Sequence, residues 1–394
     1  MKKGVRWLYA GFSVVVLVFL GLIYAWSIFA APLEAEFHWS RVQTSLAFSI
    51  SMAFFCLGGL VNGLCARRIN SRLLVLASGA LIFAGFTLLS CVSSLPMLYL
   101  CYGVLAGLGV GVGYNALMCL VVGWFPDHTG LLSGILLMGF GFGGSILGHI
   151  FDVGITLVGW RKTFSLSGAV MLAVACAAAM LLRQPEQARA AHSDVGVPPR
   201  EMLRRRAFRS FYLWAILISS GGLALIGSAV PFAQSFTGDG AAAATMAGLI
   251  STANGVGRLL TGFALDHFGI PRTLQAISLG ALLGAVVLFA ATGLRSMPLL
   301  VLAFCLVGFF YGAVTPANSA YTSRAFGMEF YSINFSIVVT NLLFAAFLGP
   351  SVAGWLQGDG QYGSTSAFLI LLSALALPAA HIASSAFKKT SVIK

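Results

Sequence analysis

Charge is what this chain has least of. Only 9% of its 394 residues are Asp, Glu, Lys or Arg, against about 25% in a soluble domain, which excludes a protein whose whole surface faces water. Acidic groups are the scarcest, 11 against 23 basic ones. Cysteine is sparse as well. Cys56, Cys65, Cys91, Cys101, Cys119, Cys176 and Cys305 all sit in apolar segments and none forms a C-x-x-C pair. They read as small core hydrophobes, with no disulfide or metal framework. The six histidines (His38, His128, His149, His192, His267 and His381) are scattered without metal-ligand spacing, and no paired intramembrane aspartates occur. No metal, no cofactor and no enzymatic activity is expected.

Apolar length is what the chain has instead. Hydrophobic residues make up 59% of it, and the mean hydropathy is +0.93. Apolar runs of about 20 residues span a bilayer as helices. Twelve such runs lie near 7–32, 42–65, 73–94, 97–124, 130–151, 162–182, 211–236, 242–265, 273–294, 297–322, 330–356 and 364–386. The expected fold is therefore all-α and integral to the membrane. The first run is too long for a signal peptide, contains Tyr24, Trp26 and Pro32, and lacks a clear cleavage site, so it reads as an uncleaved first helix.

The basic residues orient the chain. With the N-terminus placed in the cytoplasm, eighteen of the 23 Lys and Arg fall on the cytoplasmic side, four (Arg41, Arg161, Lys162 and Arg295) fall outside, and Arg258 is left over. By the positive-inside rule both termini are cytoplasmic, in a cell (inner) membrane. The net charge of +12 thus marks topology and headgroup contact, above all at 204–206, and not a nucleic-acid partner. The partner expected from this distribution is the bilayer, with the protein a monomer.

One polar stretch, RQPEQARAAHSDVGVPPREMLRRRAFRS at 183–210, splits the helices six and six. It reads as a cytoplasmic linker with a short amphipathic helix near 200–208, between an N-terminal half (1–182) and a C-terminal half (211–394). The halves resemble one another: Gly58, Leu60 and Gly63 match Gly257, Leu259 and Gly262 at an offset of 199. In transporters such repeats place the substrate near the membrane midplane between the halves. Under this pairing Arg258 corresponds to Gly59, so one half alone carries the cation.

Arg258 is the charged residue set deepest in an apolar run, within AGLISTANGVGRLLTGFAL at 247–265. An arginine at a helix centre costs roughly 2.5–3.5 kcal/mol on insertion scales. None of the eleven acidic residues is placed at membrane depth, so a visiting anion is the expected partner. Asn254 lies four residues earlier, on the same helix face. A guanidinium can hold a carboxylate with two parallel hydrogen bonds, and the amide can bind a substrate oxygen or orient the arginine. The competing reading is that Arg258 bonds helix carbonyls and stabilises a bundle contact.

Tyr24, Tyr114 and Tyr311 can each present a phenol to a cavity or serve as packing aromatics. Gly107, Gly109, Gly111 and Gly113 around Tyr114 favour close helix packing. Asn318, Asn334, Thr340 and Asn341 line a cavity or tie helices together, and His149 and Asp152 relay protons or mark a wetted helix end. Gly349-Pro350 marks a kink.

Two six-helix copies around a charged loop, with glycine motifs after the second helix of each, resemble the major facilitator superfamily. Its loop motif runs approximately G-x-x-x-D-R-x-G-R. The second copy matches through Gly262, Asp266 and Gly269, which the resemblance implies are gating residues. The first copy has Arg67 in place of the aspartate and Asn70 in place of the glycine. Within the superfamily, three segments are similar to the oxalate/formate antiporter family and the monocarboxylate transporters: YAWSIFAAP at 24–32, GVGYNALMCLVVGWFPDHTGLLSG at 111–134, and the N-x-x-x-R spacing of Asn254 and Arg258. The resemblance implies a carboxylate site of Arg258, Asn254, Tyr24 and Tyr114, with Tyr311 near by. The oxalate carrier has a lysine in its eleventh helix, where Val338 stands here, which favours monocarboxylates over a dianion. The expected function is secondary active transport of a small monocarboxylate such as formate, lactate or pyruvate by alternating access. The alternatives are oxalate/formate-type antiport and a non-transporting membrane sensor of the same anion.

Overall fold

A computed structural model describes residues 3–183, 196–238, 240–356 and 362–390. Within them the chain is helical, without strands. α1 (Lys3–Leu20) runs through a 3-10 turn (Gly21–Ala25) into α2 (Trp26–Phe37). α3 (Arg41–Cys65) and α4 (Ser71–Leu89) follow. The one-turn α5 (Leu95–Leu98) continues through a π segment (Tyr99–Ala106) into α6 (Gly107–Trp124). α7 (Thr129–Val158), α8 (Trp160–Leu181), the short α9 (Pro199–Arg204), α10 (Arg206–Thr237), α11 (Gly240–His267) and α12 (Ile270–Leu294) come next. The remainder are α13 (Met297–Gly312), α14 (Val314–Phe326), α15 (Tyr331–Val339), α16 (Asn341–Leu356) and α17 (Tyr362–Thr390).

Local chemistry accounts for several boundaries. Ser40 and Gln43 form a reciprocal capping box at the start of α3, which satisfies two of the donors a helix start leaves open. Asn70 caps α4 by accepting from the Arg72 amide at 3.1 Å. The matching position before α12 is Gly269, at φ +79° with no side-chain cap, a backbone region that glycine enters without steric cost. The eleventh span is interrupted at Thr340. There the Asn341 amide donates to the Val338 carbonyl at 2.5 Å and to Asn318 Oδ1 at 3.2 Å. The helix then runs on through Pro350.

Among the described residues, eleven continuous helical stretches, some joining two of these helices, are long and apolar enough to cross a membrane. α11 is not among them. Its Asn254, Arg258 and scattered Ser and Thr dilute the apolar run.

The chain forms two compact units. Unit 1 comprises Met1–Pro126, Leu136–Asp194 and Tyr331–Ile337. Unit 2 comprises Asp127–Ile135, Val195–Phe330 and Val338–Lys394. In unit 1, α3 packs on α6 and α4 on α8. In unit 2, α10 packs on α16 and α17, α12 on α17, and α11 on α13.

The internal repeat appears in how glycines let helices touch. In unit 1, a Cβ added at Gly58, Gly107 or Gly111 would fall within 3.0 Å of the carbonyl oxygen of Leu108, Ser51 or Phe55. In unit 2, Gly257, Gly308 and Gly312 stand in the same relation to Phe309, Ile250 and Asn254. The α3 residues map onto α11 at an offset of 199, and the α6 residues onto α13 at 201. In lipid, where apolar burial does not drive helices together, such close backbone approach is a main source of association. The same contact was thus kept in both copies, while the side chain that followed it diverged to Gly59 in one and Arg258 in the other.

Candidate functional site

α11 is held from two sides by glycines. Toward α13, Gly257, Gly308 and Gly312 bring the backbones together, and the Asn254 carbonyl occupies the space a side chain at Gly312 would need. Toward the start of α7, a Cβ at Gly134 would meet the Arg258 carbonyl at 2.5 Å, and one at Gly130 would meet the Gly262 carbonyl at 2.5 Å. Both contacts lie inside unit 2, and together they fix the height and rotation of α11.

On this clamped helix Asn254 and Arg258 are each 7% exposed. The guanidinium Nε of Arg258 donates to Asn254 Oδ1 at 2.9 Å. One of the five N–H donors of the arginine is therefore spent on a residue one turn away. That bond sets the plane of the fork. The edge made by the two terminal nitrogens is the geometry that receives a carboxylate in two parallel bonds. The amide oxygen thus accepts from the arginine.

Asp266, twelve residues after Asn254, ends this arrangement. Its Oδ1 accepts from the Gly130 amide at 3.0 Å and its Oδ2 from the Leu131 amide at 2.8 Å. It also forms an ion pair with Arg324 of α14, whose other nitrogen donates to the Leu265 carbonyl at 2.9 Å. A carboxylate at the first turn of α7 satisfies open backbone donors and the positive end of the helix dipole. Gly262 packs against Gly130, and Gly269 opens α12. Sequence reasoning named Gly262, Asp266 and Gly269 and missed Arg324, 58 residues away, for which no local pattern existed.

The tyrosines divide between the units. Tyr24 lies in the 3-10 turn, 41% exposed, with its ring edge-on to Phe140 at 5.2 Å. Tyr114 is 5% exposed and meets the same Phe140 ring at 5.1 Å, beside Phe55 and Phe335. Unit 1 thus brings the two phenols to one aromatic ring. Tyr311 belongs to unit 2, half-buried in α13, where its ring fills the space above Gly222 of α10. The four glycines before Tyr114 pack as expected: Gly107 on the Ser51 carbonyl, Gly111 on that of Phe55, Gly109 on Ile82 and Gly113 on Ser78.

The other polar candidates resolve into ties. Asn341 bonds Asn318, and Thr340 shares a 2.7 Å hydrogen bond with Tyr212. Asn334 is fully buried, and His149 and Asp152 are exposed. A network that sequence reasoning did not foresee centres on Asn115. Its Oδ1 accepts from Asn62 Nδ2 at 2.6 Å and from Ser332 at 3.1 Å, and its Nδ2 donates to Ser336 at 2.9 Å. Ser336 also donates to the Gly59 carbonyl at 2.7 Å, the counterpart of Arg258. In the WFPD segment, Trp124 donates to the Arg183 carbonyl at 2.9 Å. The Phe125 ring lies under Arg6, whose guanidinium carbon is 4.8 Å from its centroid.

The family model of the Major Facilitator Superfamily matches residues 11–350 and 212–390. The chain belongs to that superfamily. Major facilitator proteins such as this one have twelve membrane-spanning helices in two six-helix halves, and they are transporters rather than enzymes. Among curated relatives, the oxalate:formate antiporter of Oxalobacter formigenes is 28% identical over 381 residues, covering 93% of this chain and 88% of that protein. Monocarboxylate transporter 1 of Homo sapiens is 27% identical over 179 residues, 44% of this chain and 36% of that protein. Among solved structures, the proton:xylose symporter XylE bound to 6-bromo-6-deoxy-D-glucose superposes with a TM-score of 0.73 at 16% identity, covering 96% of this chain and 95% of that one. At that identity the likeness is one of fold.

Proposed function

We propose that this transporter carries small carboxylate anions across a cell (inner) membrane by alternating access, with monocarboxylates such as formate, lactate or pyruvate favoured. The observation that carries the reading is the buried guanidinium of Arg258, set in its plane by Asn254. Two relatives named for carboxylate cargo support the substrate class. A preference for one negative charge is supported by Val338, fully buried at about the position where the resemblance to the oxalate/formate antiporter family implies a lysine. A dianion in a low-dielectric site would meet one guanidinium and leave its second charge poorly compensated. Asn254 is an amide and has no proton to exchange. Coupling to a proton would need a different group.

The phenols of Tyr24, Tyr114 and Tyr311 are proposed to hydrogen-bond the transported carboxylate. Affinity can be read from the rise in melting temperature with anion concentration, since a ligand stabilises the state it binds by mass action. Tyr→Phe at position 24 or 114 is expected to weaken that affinity by about 0.5–3 kcal/mol, the range from neutral to charge-assisted bonds. Unchanged affinity in both variants would leave them as packing partners of Phe140.

Both termini and the 183–210 linker are proposed to be cytoplasmic. Ser193→Cys, at a position outside the described residues, is expected to resist a membrane-impermeant thiol reagent in intact cells and to react once the membrane is opened. Full labelling in intact cells would invert the orientation.

A further inference from the structure

At one end of unit 2, three packed helices are tied at a common level. The Tyr321 hydroxyl bridges the Ala207 carbonyl of α10 at 3.1 Å and the Ala383 carbonyl of α17 at 3.2 Å. Next to it, Ser384 of α17 donates to the Pro271 carbonyl of α12 at 3.4 Å. The residues beside these ties are cations. Arg206 and Arg209 stand in the first turn of α10, Arg272 in the first turn of α12, and Lys388 and Lys389 in the last turn of α17, all exposed. Lys388 is one helical turn beyond Ser384, roughly 6 Å further out.

Nothing on these helices neutralises that charge. α10, α12 and α17 contain no Asp or Glu along their whole length. Among the described residues, two acidic groups that precede α10 and α12 in sequence are engaged elsewhere: Glu201 with Arg205, and Asp266 with Arg324 and the start of α7. Below the cations the exposed faces turn apolar at helical spacing. Leu213 follows Arg209 by four residues and is 52% exposed. Leu279 follows Arg272 by seven and is 58% exposed. On α17 the exposed face inward of Lys388–Lys389 runs through Ser385, His381 and Pro378 before it becomes aliphatic at Leu375 and Leu371, 49% and 56% exposed. α10 and α12 thus present one level of positive charge with an exposed leucine within two turns of it, and α17 reaches its leucines further in.

We propose that this rim is a binding site for an anionic glycerophospholipid. Its phosphate sits among Arg206, Arg272 and Lys388–Lys389, and its acyl chains lie along the leucine faces of α10, α12 and α17. The cations alone would suit any phosphate. The exposed leucines inward of Arg209 and Arg272 select a phosphate that carries chains. A basic residue at a membrane surface contributes on the order of 1 kcal/mol to binding anionic lipid, about a fivefold factor.

The test uses the full chain in phosphatidylcholine nanodiscs titrated with phosphatidylglycerol, reading melting temperature and lipid retained in native mass spectrometry. Wild type is expected to be stabilised saturably. Arg272→Gln/Lys388→Gln/Lys389→Gln is expected to match wild type in pure phosphatidylcholine but to need on the order of a hundredfold more anionic lipid, at about fivefold per cation. The single variants Arg272→Gln and Lys388→Gln, each expected to shift half-saturation about fivefold, serve if the triple variant does not fold. Arg295→Gln, at the opposite end of α12, is expected to behave as wild type. Equal half-saturation in wild type and the rim variants would overturn the proposal. So would an equal loss in Arg295→Gln, which would mean diffuse surface charge, or equal stabilisation by inorganic phosphate, which would mean a free anion site.

Discussion

Arg258→Ala is expected to abolish carboxylate transport while leaving an inserted, folded protein. The substitution removes a charge whose insertion costs roughly 2.5–3.5 kcal/mol, so the helix itself enters the membrane more readily. The glycine contacts that clamp α11 to α13 and α7 involve backbone and remain. The melting temperature without anion should therefore stay near that of wild type, and its rise with added monocarboxylate should vanish. Arg258→Lys should recover little. An ammonium on a flexible stem lacks the planar two-pronged donor edge, and it lacks the Nε through which Asn254 sets the guanidinium plane. An arginine that served only the bundle would show the reverse: loss of about 3–5 kcal/mol of stability on truncation, as when one partner of a buried charged pair is removed. Thermal unfolding of the three proteins with and without anion separates the two patterns.

The second large effect is steric. Gly312→Val is expected to destabilise unit 2 by at least the 1–3 kcal/mol typical of overpacking, and to lower transport with it. A side chain at 312 would collide with the Asn254 carbonyl, a backbone atom that cannot rotate away. To make room, α13 must separate from α11, and the Asn254–Arg258 pair moves with the helix that carries it. Gly293→Ala is the control. It lies in α12, exposed, with nothing within 4 Å of an added Cβ. There the change should be neutral or stabilising by about 0.5–1 kcal/mol, since alanine favours the helix. A melting temperature for Gly312→Val equal to that of wild type would mean the close packing of α11 on α13 contributes nothing to the fold.

These two residues also show what could be read from the amino-acid sequence. Asn254 and Arg258 were legible as a pair because four residues on a helix return to one face, whatever surrounds it. Gly312 was legible only as a glycine, because its partner, the Asn254 carbonyl, lies 58 residues away. The same distance hid Arg324 from Asp266. Tyr24 and Tyr114 were legible singly, but not their shared contact with Phe140, which depends on how α1, α6 and α7 meet in three dimensions. Hydropathy located the spans well, since it averages over about 20 residues. For the same reason it was blind to single-residue events: the 3-10 turn at Gly21–Ala25, the π segment at Tyr99–Ala106 and the interruption at Thr340, each set by local backbone hydrogen bonding. α11 shows the opposite conflict. The polar residues proposed to bind substrate are the ones that make it the least convincing span by composition.

The most direct measurement is uptake of radiolabelled formate, lactate and pyruvate into proteoliposomes holding the purified protein, with protein-free liposomes and Arg258→Ala as controls. The account predicts saturable uptake of at least one monocarboxylate, competed by other monocarboxylates and not by the neutral amide of the same acid, weaker for oxalate, and absent in Arg258→Ala. Saturable uptake that survives intact in Arg258→Ala, or no transport of any of these anions by the wild-type protein, would contradict it.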